Sequence, residues 1–587
     1  MTKRPTARGQ IKRGKSSAKG AGKRPGKTSM PWLKSYPPGI DWAAPLTGRP
    51  VHMLLEETAR EAGASTCSHF LGKTMTYAEI ARQVDHVARG LQLRGVGRGT
   101  KVGLLLPNTP TYVVFYYAIL KAGATVVNFN PLYTAEELDF QVRDSGTSIM
   151  VTLDLKTLFE KVESLIENGV LERAVVCPFA PLLPSLKRIL FTLFKGGERA
   201  RVARSPVRPA LIAEAELLDN DGRPDPVEIR PEKDIAVLQY TGGTTGTPKG
   251  AMLTHANLTI NVDQVRLWAT NISPGEERIM GILPFFHVFA MTTVLNLGVA
   301  MGAMLVMMPR FDLEEALKLI TRTRATVLPG VPTMYNAMLN FPDLGRYDLS
   351  SLKFCISGGA ALPIEVKREF EALTGCKLIE GYGLSETSPV ATANPVDGPV
   401  REGSIGLPLP GTLLSIRAID DPRKELPLGE DGEICIAGPQ VMPGYWEKPE
   451  ETKAAFTGKY FRTGDVGHMD DDGFTYIVDR LKDMINCSGF KVYPRRIEEA
   501  IYEFPAVEEV TVIGIPDDYR GEAPKAYIKL REGETASAED ILEFLKPKIS
   551  KIEMPSEIEF RDVLPKTMIG KLSKKELRAE REQEGTS

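Results

Sequence analysis

Gly242, Gly243 and Gly246 stand among Thr241, Thr244, Thr245, Thr247 and Lys249 in the run YTGGTTGTPKG from Tyr240 to Gly250. Glycines let main-chain N–H groups converge on an anion where a Cβ would collide. The threonine hydroxyls add donors, and Lys249 adds a cation against phosphate charge. The chemistry on offer is a cradle for a polyphosphate. It is not the GxxxxGK[ST] loop, because Lys249 lies between Pro248 and Gly250 instead of between glycine and a hydroxyl residue. A loop of this composition can be mere connection, but so many donors beside a lysine weigh against that.

Four further segments follow in order: Ser357-Gly-Gly-Ala-Ala361, Gly381-Tyr-Gly-Leu-Ser-Glu-Thr387, Tyr460-Phe-Arg-Thr-Gly-Asp465 with Asp479-Arg-Leu-Lys-Asp483, and Pro565-Lys-Thr-Met-Ile-Gly-Lys571. Each alone reads as a turn or a solvated surface charge. Their order and spacing carry more than any one of them. Together with the threonine-rich loop they resemble the adenylate-forming enzymes: acyl-CoA synthetases, luciferases and peptide-synthetase adenylation domains. The resemblance extends over most of residues 77–577.

The resemblance implies roles by position. Tyr382 would stack on adenine, with Gly381 and Gly383 beside it. Ser385, where Thr is commoner, would contact the α-phosphate. Glu386 would help hold Mg2+, with Thr245 and the ATP phosphates, since a hard cation wants carboxylate oxygen. Gly358, Gly359 and Ala360 would line adenine and the acyl tunnel. Asp465 would take both ribose hydroxyls, Arg480 would contact ribose or phosphate, and Lys482 would be the hinge. Lys571 would reach from the small domain to the carboxylate and α-phosphate, where attack of one anion on another needs neutralised charge. Lys574 and Lys575 read as surface charges.

Ser404-Ile-Gly-Leu-Pro-Leu-Pro410, the stretch from Gly438 to Trp446 and the stretch from Asp483 to Pro494 narrow the resemblance to bacterial long-chain fatty acid–CoA ligases. That implies a fatty acid, ATP and CoA as substrates, an acyl-adenylate intermediate and no protein nucleophile. Gly489 would border the pantetheine channel; Asn486 stands where the family often has Lys, and Cys487 reads as a packing residue. Leu283-Pro-Phe-Phe-His-Val-Phe-Ala290 resembles the acyl-pocket motif, with His287 and Phe289 at the tunnel mouth or, equally, with His287 a satisfied core residue. The alternatives are a related ligase for medium-chain or aryl acids, a fatty acyl-AMP ligase, and a non-catalytic membrane-associated lipid-binding protein.

The elements that must position these residues form an α/β chain. Short apolar runs at 101–106, 125–129, 235–240, 325–328 and 352–357 alternate with helical patterns, as at 111–122. The threonine-rich loop follows an apolar strand and precedes a helix expected to begin near His255. After residues 479–483 a compact α+β unit follows, with a helix over 494–504, strands near 510–515 and 526–530, and a helix opened by Ser537 and Asp540. The expected organisation is a basic disordered arm (1–30), a large multi-subdomain α/β AMP-binding domain (31–479), a hinge (480–483) and a small mobile C-terminal α+β domain (484–587), the adenylate-forming fold.

At 587 residues, 42% apolar and 25% charged, the chain is an ordinary globular one. Its 73 basic and 75 acidic residues leave no global field to recruit nucleic acid. The arm holds ten Lys or Arg and no acid, so the rest carries a net charge of −12. Such a tract cannot offset its ordering entropy by burial. It reads as a solubilising tail, a contact for an anionic lipid surface or a transit peptide. Six scattered cysteines without a CxxC pair point away from zinc and towards a reducing, cytoplasmic setting, peripheral at the membrane's inner face if the arm docks there. Oligomeric state is left open, a homodimer among the options.

Residues 279–309 lack any charge, but Pro284, Gly298 and Gly302 interrupt them, so a buried helix at 290–299 and a strand at 303–308 explain them better than a membrane span. Within 181–208, a helix over 183–195 would place Leu186, Ile189, Leu190 and Leu193 on one face and Arg188 and Lys195 on the other. Core packing is the commoner meaning of such a stripe; a membrane-facing insertion is the sharper one.

Overall fold

The computed structural model describes residues 30–241, 248–488, 490–517, 519–567 and 571–584. Two largely parallel sheets dominate the first part of the chain. The larger has nine strands among the described residues, and its six central ones, in sheet order, are Lys377–Gly383, Phe354–Gly358, Val327–Gly330, Arg278–Gly281, Met304–Met307 and Thr66–Phe70. All six run parallel, so their carboxyl ends share one edge. The second sheet orders Leu211–Ala213, Arg173–Cys177, Ile149–Leu153, Lys101–Leu104, Thr125–Asn128, Ile235–Thr241 and Lys249–Thr254, antiparallel only at the last pair. A smaller sheet built on Gly432–Ala437 and Tyr460–Met469 follows.

Local chemistry accounts for the helix boundaries. Thr76 and Glu79 close a reciprocal capping box at the start of Tyr77–Gln92, and Pro110 opens Pro110–Lys121 behind the Thr109 cap. Pro110–Lys121 is buried on every side except at Lys121, which suits a helix sandwiched between layers. The apolar stretch 279–309 resolves into the strand Arg278–Gly281, three short helical segments ending at Ala300 with a π-helical turn over Met291–Asn296, and the strand Met304–Met307. No helix among the described residues is long and apolar enough to cross a membrane. One apolar cluster runs from Trp32 to Phe474 and joins both large sheets.

The C-terminal unit has cores of its own. Its sheet, with Val507–Asp517 and Gly521–Leu530 at the centre, packs on the helices Pro494–Tyr502 and Ala538–Leu545 through Ile497, Val510 and Ile541. Ser537 and Asp540 form the capping box read from the sequence.

One helix start is borne out and one reading needs correction. The helix expected near His255 starts there, as His255–Trp268, and between it and the threonine-rich loop Lys249–Thr254 forms a strand paired back on Ile235–Thr241, which the sequence reading did not anticipate. The loop therefore joins two hairpin strands. The correction concerns the Ser185–Phe194 helix, which forms, but none of its residues is buried. Its stripe faces outward, against the core-packing reading.

Candidate active site

At the carboxyl edge of the nine-stranded sheet lies a cavity of about 410 Å3. Gly358 comes from the end of Phe354–Gly358, and Gly381, Tyr382 and Gly383 from the end of Lys377–Gly383; Ser385 and Glu386 follow in one 3-10 turn. Thr241 and Lys249, opposed in the hairpin, line it from the second sheet. Arg480 and Lys571 complete the wall.

Asp465 is the hub of the polar side. Its carboxylate is buried, and its two oxygens are both engaged: the Tyr382 hydroxyl donates to Oδ2 at 2.6 Å and Arg480 Nε meets Oδ1 at 2.8 Å. Asp465 and Arg480 are direct cross-strand partners, so the sheet sets that pairing. Burial, then the neighbouring Asp465 charge, pushes the Tyr382 phenol well up, so it stays a donor. Each Asp465 oxygen keeps lone pairs for further donors.

Glu386 is buried, and its Oε1 accepts from the Tyr445 hydroxyl at 2.8 Å. Burial raises its carboxyl pKa. A buried carboxylate held above its usual range is restored to charge by a nearby cation, and Mg2+ favours one or two carboxylates plus substrate phosphates. The donor set therefore fits Mg2+ carried on a polyphosphate. Among the described residues there is no cluster of three acidic, histidine or cysteine side chains able to hold a metal unaided. The Lys249 ammonium lies 5.5 Å from the Tyr445 ring centroid, which brings a cation beside Glu386's own partner.

The Lys571 carbonyl accepts from Thr567 N. Gly359, at φ +82°, admits the Lys571 side chain: a Cβ there would lie 2.4 Å from Lys571 Cε and 2.7 Å from Nζ. Burial, then Arg480, lowers the ammonium pKa to about 8. His287 also lines the cavity; its Nδ1 accepts from Phe289 N at 3.3 Å, and burial, then Lys571, lowers its pKa to about 3. The imidazole is thus neutral, with its proton on Nε2. The apolar wall beside it comprises Leu283, Val288, Phe289, Val331, Ile356 and Val390. Gly358 accommodates Phe289, whose Cζ would be 3.1 Å from a Cβ.

The structure thus gathers Thr241, Lys249, His287, Phe289, Gly358, Gly359, Gly381, Tyr382, Gly383, Ser385, Glu386, Arg480 and Lys571 around one cavity, with Asp465 behind it. Ala360 follows Gly359 in the chain but does not line the cavity, and neither does Lys482, which follows Arg480. Gly242, Gly243, Thr244, Thr245, Gly246, Thr247 and Gly489 lie outside the described residues. Lys574 is not a solvated charge: it is largely buried and pairs with Glu498 at 2.9 Å. Sequence reasoning missed Tyr445 and Glu433. Glu433 is buried, accepts from Arg462 and from Gly464 N, and so braces the turn before Asp465. Only a buried acid within an apolar strand hinted at it.

Two parallel sheets meeting at a glycine-rich nucleotide-sized cavity, closed by a lysine from a small terminal domain, define an adenylate-forming architecture. The AMP-binding enzyme family matches residues 55–446 and its C-terminal domain matches residues 496–571, so the chain belongs to the AMP-binding enzyme family. A long-chain-fatty-acid–CoA ligase of Bacillus subtilis is 42% identical over 94% of this chain and 98% of its own length. An Escherichia coli O6:H1 long-chain-fatty-acid–CoA ligase is 36% identical over 94% and 98%. Among solved structures, an anthranilate CoA ligase in complex with anthranoyl-AMP superposes with a TM-score of 0.80 at 26% identity, covering 93% of this chain and all of that one.

Proposed function

We propose that this protein is an AMP-forming long-chain fatty acid–CoA ligase. The observation that carries the reading is the seating of Lys571, from the C-terminal unit, against Gly359 in the cavity that holds Tyr382, Glu386 and Arg480. The 42% identity to a long-chain ligase over nearly its whole length supports the same activity.

In the first half-reaction a fatty carboxylate oxygen attacks the ATP α-phosphorus, the bond to the β-phosphate oxygen breaks, and pyrophosphate leaves an acyl-adenylate. Tyr382 offers a flat face to adenine. Asp465 receives the ribose hydroxyls on lone pairs not used by Tyr382 and Arg480. Lys571, the side chain that reaches in beside Gly359, neutralises the two anions as they meet. Lys249 and the threonine loop grip the departing phosphates. Glu386, with Thr245, would hold Mg2+, which when bound screens the triphosphate charge. In the second half-reaction CoA sulfur attacks the acyl carbonyl and AMP leaves with the bonding pair. A turn of the unit 484–587 about a hinge at 480–483, with Lys482 at its centre, would withdraw Lys571 and present the segment around Gly489 to pantetheine.

His287 is neutral, so a carboxylate passing it meets a hydrogen-bond donor without a competing charge. Beyond it the wall is aliphatic and aromatic, which favours a hydrocarbon chain at ~0.8 kcal/mol per buried CH2. The deciding experiment is a panel of short, medium, long and aromatic acids scored for both AMP and thioester. A long-chain optimum with CoA-dependent thioester supports the proposal; an aromatic optimum, or AMP without thioester, refutes it.

A further inference from the structure

The Ser185–Phe194 helix is anchored at one end and bare elsewhere. Leu183 is buried before it, and Phe191 packs on Phe179, which packs on Phe70. Lys187 Nζ donates to Leu71 O at 2.9 Å. The remaining apolar stripe stands in solvent: Leu186 and Leu193 are about 70% exposed and Phe194 80% exposed. Monomers seldom leave such a stripe uncovered without a use for it.

Cations surround the stripe. Residues 181–213 contain seven Lys or Arg against one acid, Glu198. The segment that follows the helix helps line a hollow of about 720 Å3, with Arg199, Arg201, Arg204 and Arg208. Arg199 pairs with Asp154 at 2.9 Å and Arg208 donates to Leu211 O. Arg188, Arg201 and Arg204 make no ion pair with the described residues. The second acid of the hollow, Glu214, is pushed up to about 7 by burial, so at neutral pH it offsets only part of this charge.

We propose that the Ser185–Phe194 helix and the arginine-lined hollow of the segment that follows it form a docking surface for an anionic lipid bilayer. Aliphatic and Phe side chains interleaved with Lys and Arg, with no Trp, Tyr or acid on the helix, are the make-up of a helix that lies in a membrane interface. A protein-binding groove favours Tyr and Trp anchors and excludes Lys from its centre. The stripe enters the headgroup–acyl boundary while Arg201 and Arg204 meet lipid phosphates. Position adds a purpose, which rests on the proposed activity. The helix packs at the carboxyl end of Thr66–Phe70, which runs parallel to the strands whose carboxyl ends carry Gly358 and Gly381. The bilayer-facing surface and the cavity therefore share one edge of the sheet, as an enzyme drawing amphiphilic acids from a membrane requires.

The test floats the full-length protein with phosphatidylcholine vesicles, with and without phosphatidylglycerol. Binding is expected only with the anionic lipid and should fall as salt is raised. Leu193→Ser/Phe194→Ser should cut it about tenfold, and Arg201→Glu/Arg204→Glu should cut it by at least as much. The basic arm is present throughout, so undiminished binding by both variants would place docking elsewhere and overturn the proposal. So would equal binding to neutral vesicles. A dimer by light scattering that Leu193→Ser/Phe194→Ser converts to monomer, with unchanged flotation, would make a second copy the occupant. Pyrophosphate exchange with a soluble medium-chain acid should survive in both variants, which shows that they fold. Failure of exchange in the wild type would refute the proposed activity while leaving the flotation result readable.

Discussion

The cavity has two kinds of wall. Tyr382, Glu386 and Asp465 rise from sheets tied to the continuous apolar cluster of the large part of the chain, with Tyr382 and Tyr445 packed against it. Lys571 belongs to a unit with separate clusters, which meets the large part through polar contacts such as Arg531 Nη1 to Asn340 Oδ1 at 3.1 Å and Asn336 Nδ2 to Glu508 O at 3.4 Å. Exposed polar contacts exchange for water at a net cost near 1 kcal/mol each, whereas opening a shared core forfeits far more. On the proposed mechanism one wall stays in place and the other can be withdrawn. A site needing a cation for one half-reaction and room for CoA in the next gains both from that difference.

The largest effect expected is from Lys571→Ala: adenylation should fall about 10²–10³-fold, while thioester formation from supplied acyl-adenylate stays nearly intact. Equal loss in both half-reactions would erase the distinction between the walls. Asp465→Ala alters the wall that stays in place and should impair both half-reactions, each by about 30-fold for ~2 kcal/mol of lost charged hydrogen bonding, with the KM for ATP raised. Stability should change little, because Arg480 is half-exposed and can turn to water. Gly359→Ala forces Lys571 Cε away from a 2.4 Å clash and strains a φ of +82°. Adenylation should drop about tenfold from this misplacement, again with the second step spared.

The smallest effect is in pH. In the proposed role Lys571 is protonated, so kcat/KM for adenylation should decline as pH rises through about 8, where it is about halved relative to neutral pH. Lys571→Arg should remove that limb, since guanidinium does not titrate there. His287, with a pKa near 3, should contribute no limb between pH 5 and 7. A limb near 8 that survives Lys571→Arg would assign it to another group.

Much of the site was legible because its motifs are local: Tyr382, Ser385 and Glu386 lie in one run, as do Asp465 and the turn before it. The strand Lys249–Thr254 escaped notice because a short apolar run next to a glycine-rich loop reads equally as a helix entry, and only pairing with Ile235–Thr241 decides. Tyr445 was invisible as a site residue, since its role depends on Glu386 lying 2.8 Å away across 59 positions. Lys574 looked solvated because nothing local to it announces Glu498.

Residue types and spacing alone determined the family resemblance, the α/β rhythm, the compact C-terminal unit and the amphipathic character of 185–194, because each is written in short-range pattern. Tertiary structure alone decided that Asp465 engages Tyr382 and Arg480 together, that Gly359 makes room for Lys571, and that the stripe on 185–194 points to solvent. Periodicity states that a helix has an apolar face; which neighbour covers that face depends on chain segments far away in sequence, and here none of the helix's residues is buried.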